Sequence, residues 1–311
     1  MLSRIAESLF WIGRYVERAD GTARILDVHL ERLNQLPLDE QRTVSLNLLA
    51  VMGAAPAESD DTPVGLREVL HRLAFDRSQP SSIAGSLGAA RENARRARET
   101  VSSPVWETLN TTWNGINGHR QDVVGAYRFC TWVMERTATI RGMADSTLSR
   151  DDSWLFLSLG RYLERADMTA RMLGTGDDEA YRLSWANMLR CAGAYESFLR
   201  SRRAAFGEAY AAEFLLLDRL FPRSIVSSLS GVEDSLVALD PVSSRTGHMD
   251  AARRIIGQAR TFLEFHHTDD LLPELPEHLE RVQAACAAAS DAISSKYFSR
   301  VAEQAWTGEL I

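Results

Sequence analysis

A fourteen-residue stretch at 13–26, GRYVERADGTARIL, returns at 160–173 as GRYLERADMTARML, with eleven positions identical. At about 100° per residue, Ile12, Tyr15, Val16, Ala19, Ala23, Leu26 and Leu30 share one face of the first copy. Leu159, Tyr162, Leu163, Ala166, Ala170 and Leu173 share the matching face of the second. Apolar stripes of that width predict two core-facing helices, over 3–34 and 151–173. A chain that repeats a long amphipathic helix so closely is constrained to pack two related helical halves, and core packing explains only the apolar part of what is repeated.

The polar part carries more information. Arg14, Glu17, Arg18 and Arg24 gather opposite the apolar stripe, as do Arg161, Glu164, Arg165 and Arg171, with Asp20 and Asp167 at the margin. Asp20 with Arg24, and Asp167 with Arg171, are i,i+4 pairs in the favourable order, each worth about 0.3 kcal/mol on an isolated helix. Arg14 with Arg18, and Arg161 with Arg165, are like charges at the same spacing and cost a similar amount. One glutamate cannot satisfy two guanidiniums of five donors each. The surplus has two destinations. Either the copies pack together and each glutamate reaches the other copy's arginines, forming a buried lattice, or both Arg/Glu faces line a cleft. In a cleft the arginines would hold a carboxylate or phosphate, and Glu17 and Glu164 would serve as catalytic proton-transfer groups or bind an ammonium group.

Helical periodicity dominates the rest of the chain, and alternating strand-like runs are nearly absent. Breaker clusters at 53–63, 78–88, 102–104, 174–178, 240–247 and 267–276 delimit further helices. Long ones are expected at 121–148, 178–202, 247–267 and 277–306, shorter ones near 39–52, 64–75, 84–101, 104–116, 206–220 and 223–239. The fold class is therefore all-α, a single helical domain over 1–311 of about a dozen helices with an internal pseudo-repeat; no other close repeat stands out. Ser3 is the expected N-cap of the first helix.

Composition narrows the function classes. With 35 basic and 42 acidic residues, a net charge of -7, the chain lacks the broad basic field of a non-specific nucleic-acid binder. Three distant cysteines, Cys130, Cys191 and Cys286, fit neither a disulfide framework nor a Cys-based zinc site and suit a reducing cytoplasm. No apolar run approaches the ~20 residues of a membrane span, and the opening MLSRIAESLFWIGRY reads as a helix start rather than a leader. A cytoplasmic protein with no membrane or nucleic-acid partner is expected.

The doubled G-R-Y-x-E-R-A-D-x-T-A-R motif resembles the signature of the bacterial α-E (alpha-E) domain family, and RENARRARETVSSPVWETLN at 91–110 and FLLLDRLFPRSIVSSL at 214–229 resemble it too. The resemblance implies an all-helical protein encoded beside, or fused to, a circularly permuted ATP-grasp protein, often with a transglutaminase-like protease nearby. ATP-grasp enzymes join a carboxylate to an amine through an acyl phosphate. The resemblance therefore implies the helical component of an amide- or peptide-bond-forming system, taking a small-molecule or peptide substrate, or a scaffold for the ATP-grasp partner. ATP and Mg are expected on that partner, and no cofactor on this chain.

Other residues complete the candidate set. The family resemblance puts Glu92, Asn93 and Arg95 at the border of the same cleft as the repeated arginines. Arg223, after Pro222, is expected in the first turn of a helix, where unpaired backbone amides favour an acidic group or a phosphate. Trp11 and Trp106 read as packing anchors. No P-loop, G-x-G-x-x-G, G-x-S-x-G or H-E-x-x-H occurs, and the Glu-x-x-His spacing of di-iron bundles is missing, so no metal site is expected. His266 and His267, beside Asp269 and Asp270, read as an exposed helix C-terminus.

Overall fold

The computed structural model describes residues 1–56, 64–120, 122–174, 184–201, 207–241 and 250–298. Fourteen α-helices form among them: α1 Ser3–Gln35, α2 Leu38–Val51, α3 Leu66–Leu70, α4 Ile83–Arg96, α5 Ser103–Gly115, α6 Val123–Thr147, α7 Asp152–Leu173, α8 Trp185–Cys191, α9 Tyr195–Ser201, α10 Glu208–Leu217, α11 Ile225–Leu239, α12 Ala251–Glu264, α13 Thr268–Leu271 and α14 Leu275–Ile293. No strand occurs among the described residues. The fold is an all-α single domain.

The two motif helices, α1 and α7, lie side by side at the centre. The residues that meet are about 147 apart throughout: Gly13 packs on Leu157 and Arg161, Gly160 on Phe10 and Arg14, and Gly21 on Met168. Contacts with a constant offset require that the helices run parallel, related by a pseudo-two-fold axis along the pair. The axis explains the unlike residues of the repeat. Gly21 and Met168 occupy equivalent positions and touch each other, so the methionine fills the space that the glycine leaves. The closest approach is at the motif glycines, where backbone meets backbone. A Cβ on Gly13 would stand 2.9 Å from Arg161 N, and one on Gly160 2.9 Å from the Phe10 carbonyl carbon.

The axis extends to the whole domain. In one half α1 packs on α4 and α6, and α5 bridges those two; in the other α7 packs on α11 and α14, bridged by α12. A second sequence repeat, overlooked in the expectation of a single one, follows from this. DRSQPSSIAGSL at 76–87 and DRLFPRSIVSSL at 218–229 share seven of twelve residues. Both build the same helix start. The Ser82 hydroxyl accepts from Gly85 N at 2.8 Å and donates to the Asp76 carbonyl, while the Ser224 hydroxyl accepts from Ser227 N at 3.0 Å and donates to the Asp218 carbonyl. Both serines are fully buried, so their capping bonds replace water that is excluded there. Two further turns match: Gly53 and Gly193 take positive φ, 68° and 63°, and end α2 and α8 alike. The Val51 carbonyl, at the end of α2, receives Arg171 Nη1 of the opposite half at 2.8 Å.

Some local expectations are corrected. The N-cap of α1 is Leu2 rather than Ser3, and it makes no side-chain cap bond. The long helix expected over 178–202 is, within the described residues, two short helices broken at Gly193, whose left-handed backbone stops α8. The breaker stretch 267–276 contains α13. Residues 299–306, expected as helix, lie outside the described residues.

Candidate functional site

Along the parallel pair, the polar faces of α1 and α7 turn toward each other. Glu164 accepts from Arg14 Nε and Arg18 Nε, each at 2.5 Å, and from Arg18 Nη2 at 3.0 Å. Glu17 accepts Arg165 Nε at 2.8 Å and Nη2 at 2.9 Å. Each glutamate is thus held by the other copy's arginines, the first of the two arrangements that the repeat allows. Both carboxylates are only 1% exposed.

Neighbouring helices add to this seam. Arg223 donates Nη1 to Glu17 at 2.8 Å and Nη2 to Asp20, and Arg141 on α6 reaches Glu17 at 3.4 Å. Asp20 also accepts Arg24 Nε at 2.9 Å and the Thr137 hydroxyl at 2.8 Å. In the other half Arg171 pairs with Asp167 at 2.8 Å, and Arg14 reaches the Ser290 hydroxyl at 3.1 Å. Arg161 Nη1 approaches Asp145 at 3.5 Å.

The seam therefore unites Arg14, Glu17, Arg18, Arg24, Arg161, Glu164, Arg165, Arg171 and Arg223. It does not include the α4 residues. Glu92 and Arg95 pair with each other at 2.7 Å on the exposed face of that helix, because i,i+3 neighbours pointing to solvent satisfy each other. Asn93 returns its amide to the Ala89 carbonyl at 2.9 Å and borders a different cleft, about 580 Å³, with Trp11 and Tyr15. Arg223 also differs from expectation: its guanidinium enters the seam, and the helix start beside it is capped by the Ser224 hydroxyl, which takes the Ser227 amide. Arg141, Thr137, Asp145 and Ser290 escaped the sequence reading. They lie on α6 and α14, outside both motif copies, and no local spacing marks them.

Electrostatics follow from this packing. Burial by itself would raise the Glu17 carboxyl, but Arg165 and Arg223, with Arg141, outweigh it and hold the group well below its ordinary range. For Glu164 the burial effect is likewise overcome by Arg14 and Arg18, which bring it down to about 2. Asp20 is lowered in the same way, by Arg223, Arg141 and Arg24 against burial. Asp167 goes the other way: burial, joined by the Glu164 charge, raises it more than Arg171 lowers it.

These directions predict the acid response. A carboxyl whose folded pKa lies below its unfolded value stabilises the fold fully above the unfolded value, and that stability is lost as pH falls through the folded one. For Glu164 the window runs from the ordinary carboxylate range, about 4.3, down to about 2. Asp167 has the opposite sign: its raised carboxyl favours the fold in the protonated form, and that contribution is lost as pH rises through its folded value. Melting temperature should hold from pH 7 to about 5 and then fall steeply. Glu164→Gln should melt lower at neutral pH and lose part of that slope; an unchanged slope would show that the seam carboxylates do not govern it.

Chemically, the glutamates are fully engaged acceptors with lowered pKa values, which suits them to fixing guanidiniums and not to taking protons near neutral pH. Among the described residues no group of three or more His, Cys, Asp or Glu side chains could hold a metal, and no helix is long and apolar enough to cross a membrane.

Comparison with known proteins agrees with the motif. The chain is 26% identical to uncharacterized proteins of Mycobacterium bovis (Mb2597) and Mycobacterium tuberculosis (Rv2567) in an alignment 313 positions long, gaps included, that covers 90% of the chain. It spans about a third of the length of these curated relatives, 33% of each. No solved structure matches. Residues 1–298 match a family described as a predicted alpha-helical domain with a conserved ER motif, and both copies of the repeat in this chain carry a Glu-Arg pair, Glu17–Arg18 and Glu164–Arg165. The chain belongs to this family, Alpha-E.

Proposed function

We propose that this chain is a non-catalytic helical scaffold in an ATP-grasp-linked amide-forming system, in which the partner carries ATP, Mg and the chemistry. The observation that carries the non-catalytic part is the seam. Both repeat glutamates are buried and each is shared by at least two guanidiniums, so their chemistry is spent inside the fold. The ATP-grasp part follows from the family resemblance. It gains support from the curated relatives, which extend to about three times the length of the match and so combine this helical region with further chain. In this reading the scaffold works in the cytoplasm, where its three buried thiols stay reduced, beside the ATP-grasp protein and a transglutaminase-like protease.

The test is purification of the chain with its native partners, followed by ATP-dependent amide formation with and without it. Recovery of an ATP-grasp protein whose activity requires the chain is expected. A complex carrying Glu17→Gln and Glu164→Gln should melt earlier yet keep its turnover per folded complex. Lost turnover in a variant of unchanged fold would overturn the scaffold reading and restore the glutamates as catalytic groups. Absence of any ATP-grasp protein would overturn the partnership.

A further inference from the structure

The pseudo-two-fold axis relates the two halves of the seam, but the cleft beside Trp11 and Tyr15 belongs to one half alone. Tyr15 and Tyr162 are equivalent, and each faces the helix that flanks its own motif helix, α4 for the first and α11 for the second. Gly231 on α11 lets the Tyr162 ring come so close that a Cβ there would stand 2.7 Å from its Cγ and 2.8 Å from both Cδ atoms. The equivalent residue on α4 is Ala89, whose Cβ forbids that approach. Tyr15 is therefore held off α4, and a cleft of about 580 Å³ opens between α1 and α4. Small-molecule sites span about 300–1,000 Å³.

The lining is particular to this half too. Arg4, Glu7 and Trp11 correspond to Asp151, Trp154 and Ser158 around α7, and Asn93 and Arg96 to Ser235 and Ala238 on α11. The packing common to both copies thus does not require them. Trp11 is more than the packing anchor that the sequence suggests. It meets Phe10 edge-on at 5.6 Å yet stays half-buried, and it stacks with Tyr15 at 5.3 Å and 27° to form a flat wall. Arg14 and Arg18 of the seam already lie 5.6 and 5.5 Å from these two rings, which disfavours a further cation. At the rim, the exposed Arg4 guanidinium has no ion pair or hydrogen bond among the described residues. Arg96 touches Glu92 only through Nε, at 3.4 Å, because Arg95 holds that carboxylate at 2.7 Å. Glu7 is the one acid among the lining residues, so the cleft carries net positive charge.

We propose that this cleft binds a flat aromatic ring carrying an anionic group, a carboxylate or a phosphate. The ring lies against Trp11 and Tyr15, and the Arg4 and Arg96 guanidiniums take the anion. Both contacts are needed, because an ion pair at an exposed rim contributes little by itself and a small ring buries little area. Together they give a charge-assisted hydrogen bond beside an apolar wall. The site requires neither an ATP-grasp partner nor turnover, so its failure leaves the scaffold reading untouched.

The experiment titrates the full chain with 4-hydroxyphenylacetate and with phenyl phosphate, and saturation-transfer NMR reads the binding. At least one probe should bind with a Kd of about 1 mM or tighter, and the tighter of the two identifies the anion. The uncharged 4-hydroxyphenylacetamide should bind about tenfold more weakly than the acid. Trp11→Ala should abolish binding. Arg4→Ala with Arg96→Ala changes only exposed side chains, so it keeps the test decisive where the tryptophan variant folds poorly, and it should weaken binding about tenfold. Arg150→Ala, which removes an equally exposed guanidinium 4.2 Å from the Trp154 ring, should leave binding unchanged. Absence of binding by both probes at millimolar concentration overturns the proposal. So does an amide that binds as tightly as the acid, or binding that survives the double arginine substitution.

Discussion

Gly13→Ala should destabilise this protein by about 3 kcal/mol, and Gly160→Ala by as much. On an isolated helix the same change stabilises by about 0.8–1 kcal/mol, so the sign of the effect tests the packing. The new Cβ at position 13 would enter the Leu157 carbonyl and stand 2.9 Å from Arg161 N; at 160 it would meet the Phe10 carbonyl and stand 3.2 Å from Arg14 N. Both obstacles are backbone, which cannot rotate aside as a side chain would. The helices must part, and every seam bond between Arg14, Arg18, Glu164, Glu17 and Arg165 lengthens with them. Gly142 on α6 provides the control. It is exposed, nothing lies within 4 Å of a Cβ built there, and Gly142→Ala should stabilise by about 0.5–1 kcal/mol. Urea denaturation of the three variants decides the matter, and a neutral Gly13→Ala would mean that α1 and α7 do not meet there.

The second large effect is expected at Glu17. Glu17→Gln keeps the shape of the side chain but leaves Arg165 without its paired carboxylate and Arg223 and Arg141 with Asp20 alone. Removing one member of a buried ion pair typically costs about 3–5 kcal/mol, and Glu17→Gln should fall in that range. Glu164→Gln should cost less, because only Arg14 and Arg18 lose their partner. The pseudo-symmetry also supplies a rescue. Position 81, equivalent to Arg223, is serine. Arg223→Ser in the Glu17→Gln background removes a guanidinium that has lost one of its two carboxylates, while Asp20 keeps Arg24 and Arg141, and should recover part of the loss, giving a coupling of about 1–3 kcal/mol in a double-mutant cycle. Simple addition of the two losses would show that Arg223 and Glu17 do not act together.

Such a network adds little net stability, since taking each charge out of water offsets most of what its pairing contributes. What it supplies is register. Glu17 lies between residues of α6, α7 and the turn before α11, so only one relative position of those elements satisfies its oxygens. That is a physical reason for a duplicated helix to retain its polar residues along with its apolar ones.

Read from the sequence alone, the two motif helices and their buried polar faces are legible, because a 3.6-residue period and near-identity over fourteen positions are local signals. The all-helical class is legible for the same reason, and the doubled Glu-Arg motif identifies the family. The partners of the arginines are not legible in this way. Whether Glu17 faces Arg165 or a ligand depends on how α1 and α7 lie against each other, and periodicity is the same for either arrangement. The role of Gly13 and Gly160 is hidden likewise, since a glycine inside a helix signals a close approach without naming what approaches. Arg141 on α6 meets Glu17 and Ser290 on α14 meets Arg14 from more than a hundred residues away, Asp145 meets Arg161 from the preceding helix, and Glu92 and Arg95, which share the motif's residue types, point to solvent. Charge type and helical period are properties of the chain; which charges meet is a property of how the helices pack, and only the tertiary structure decides it.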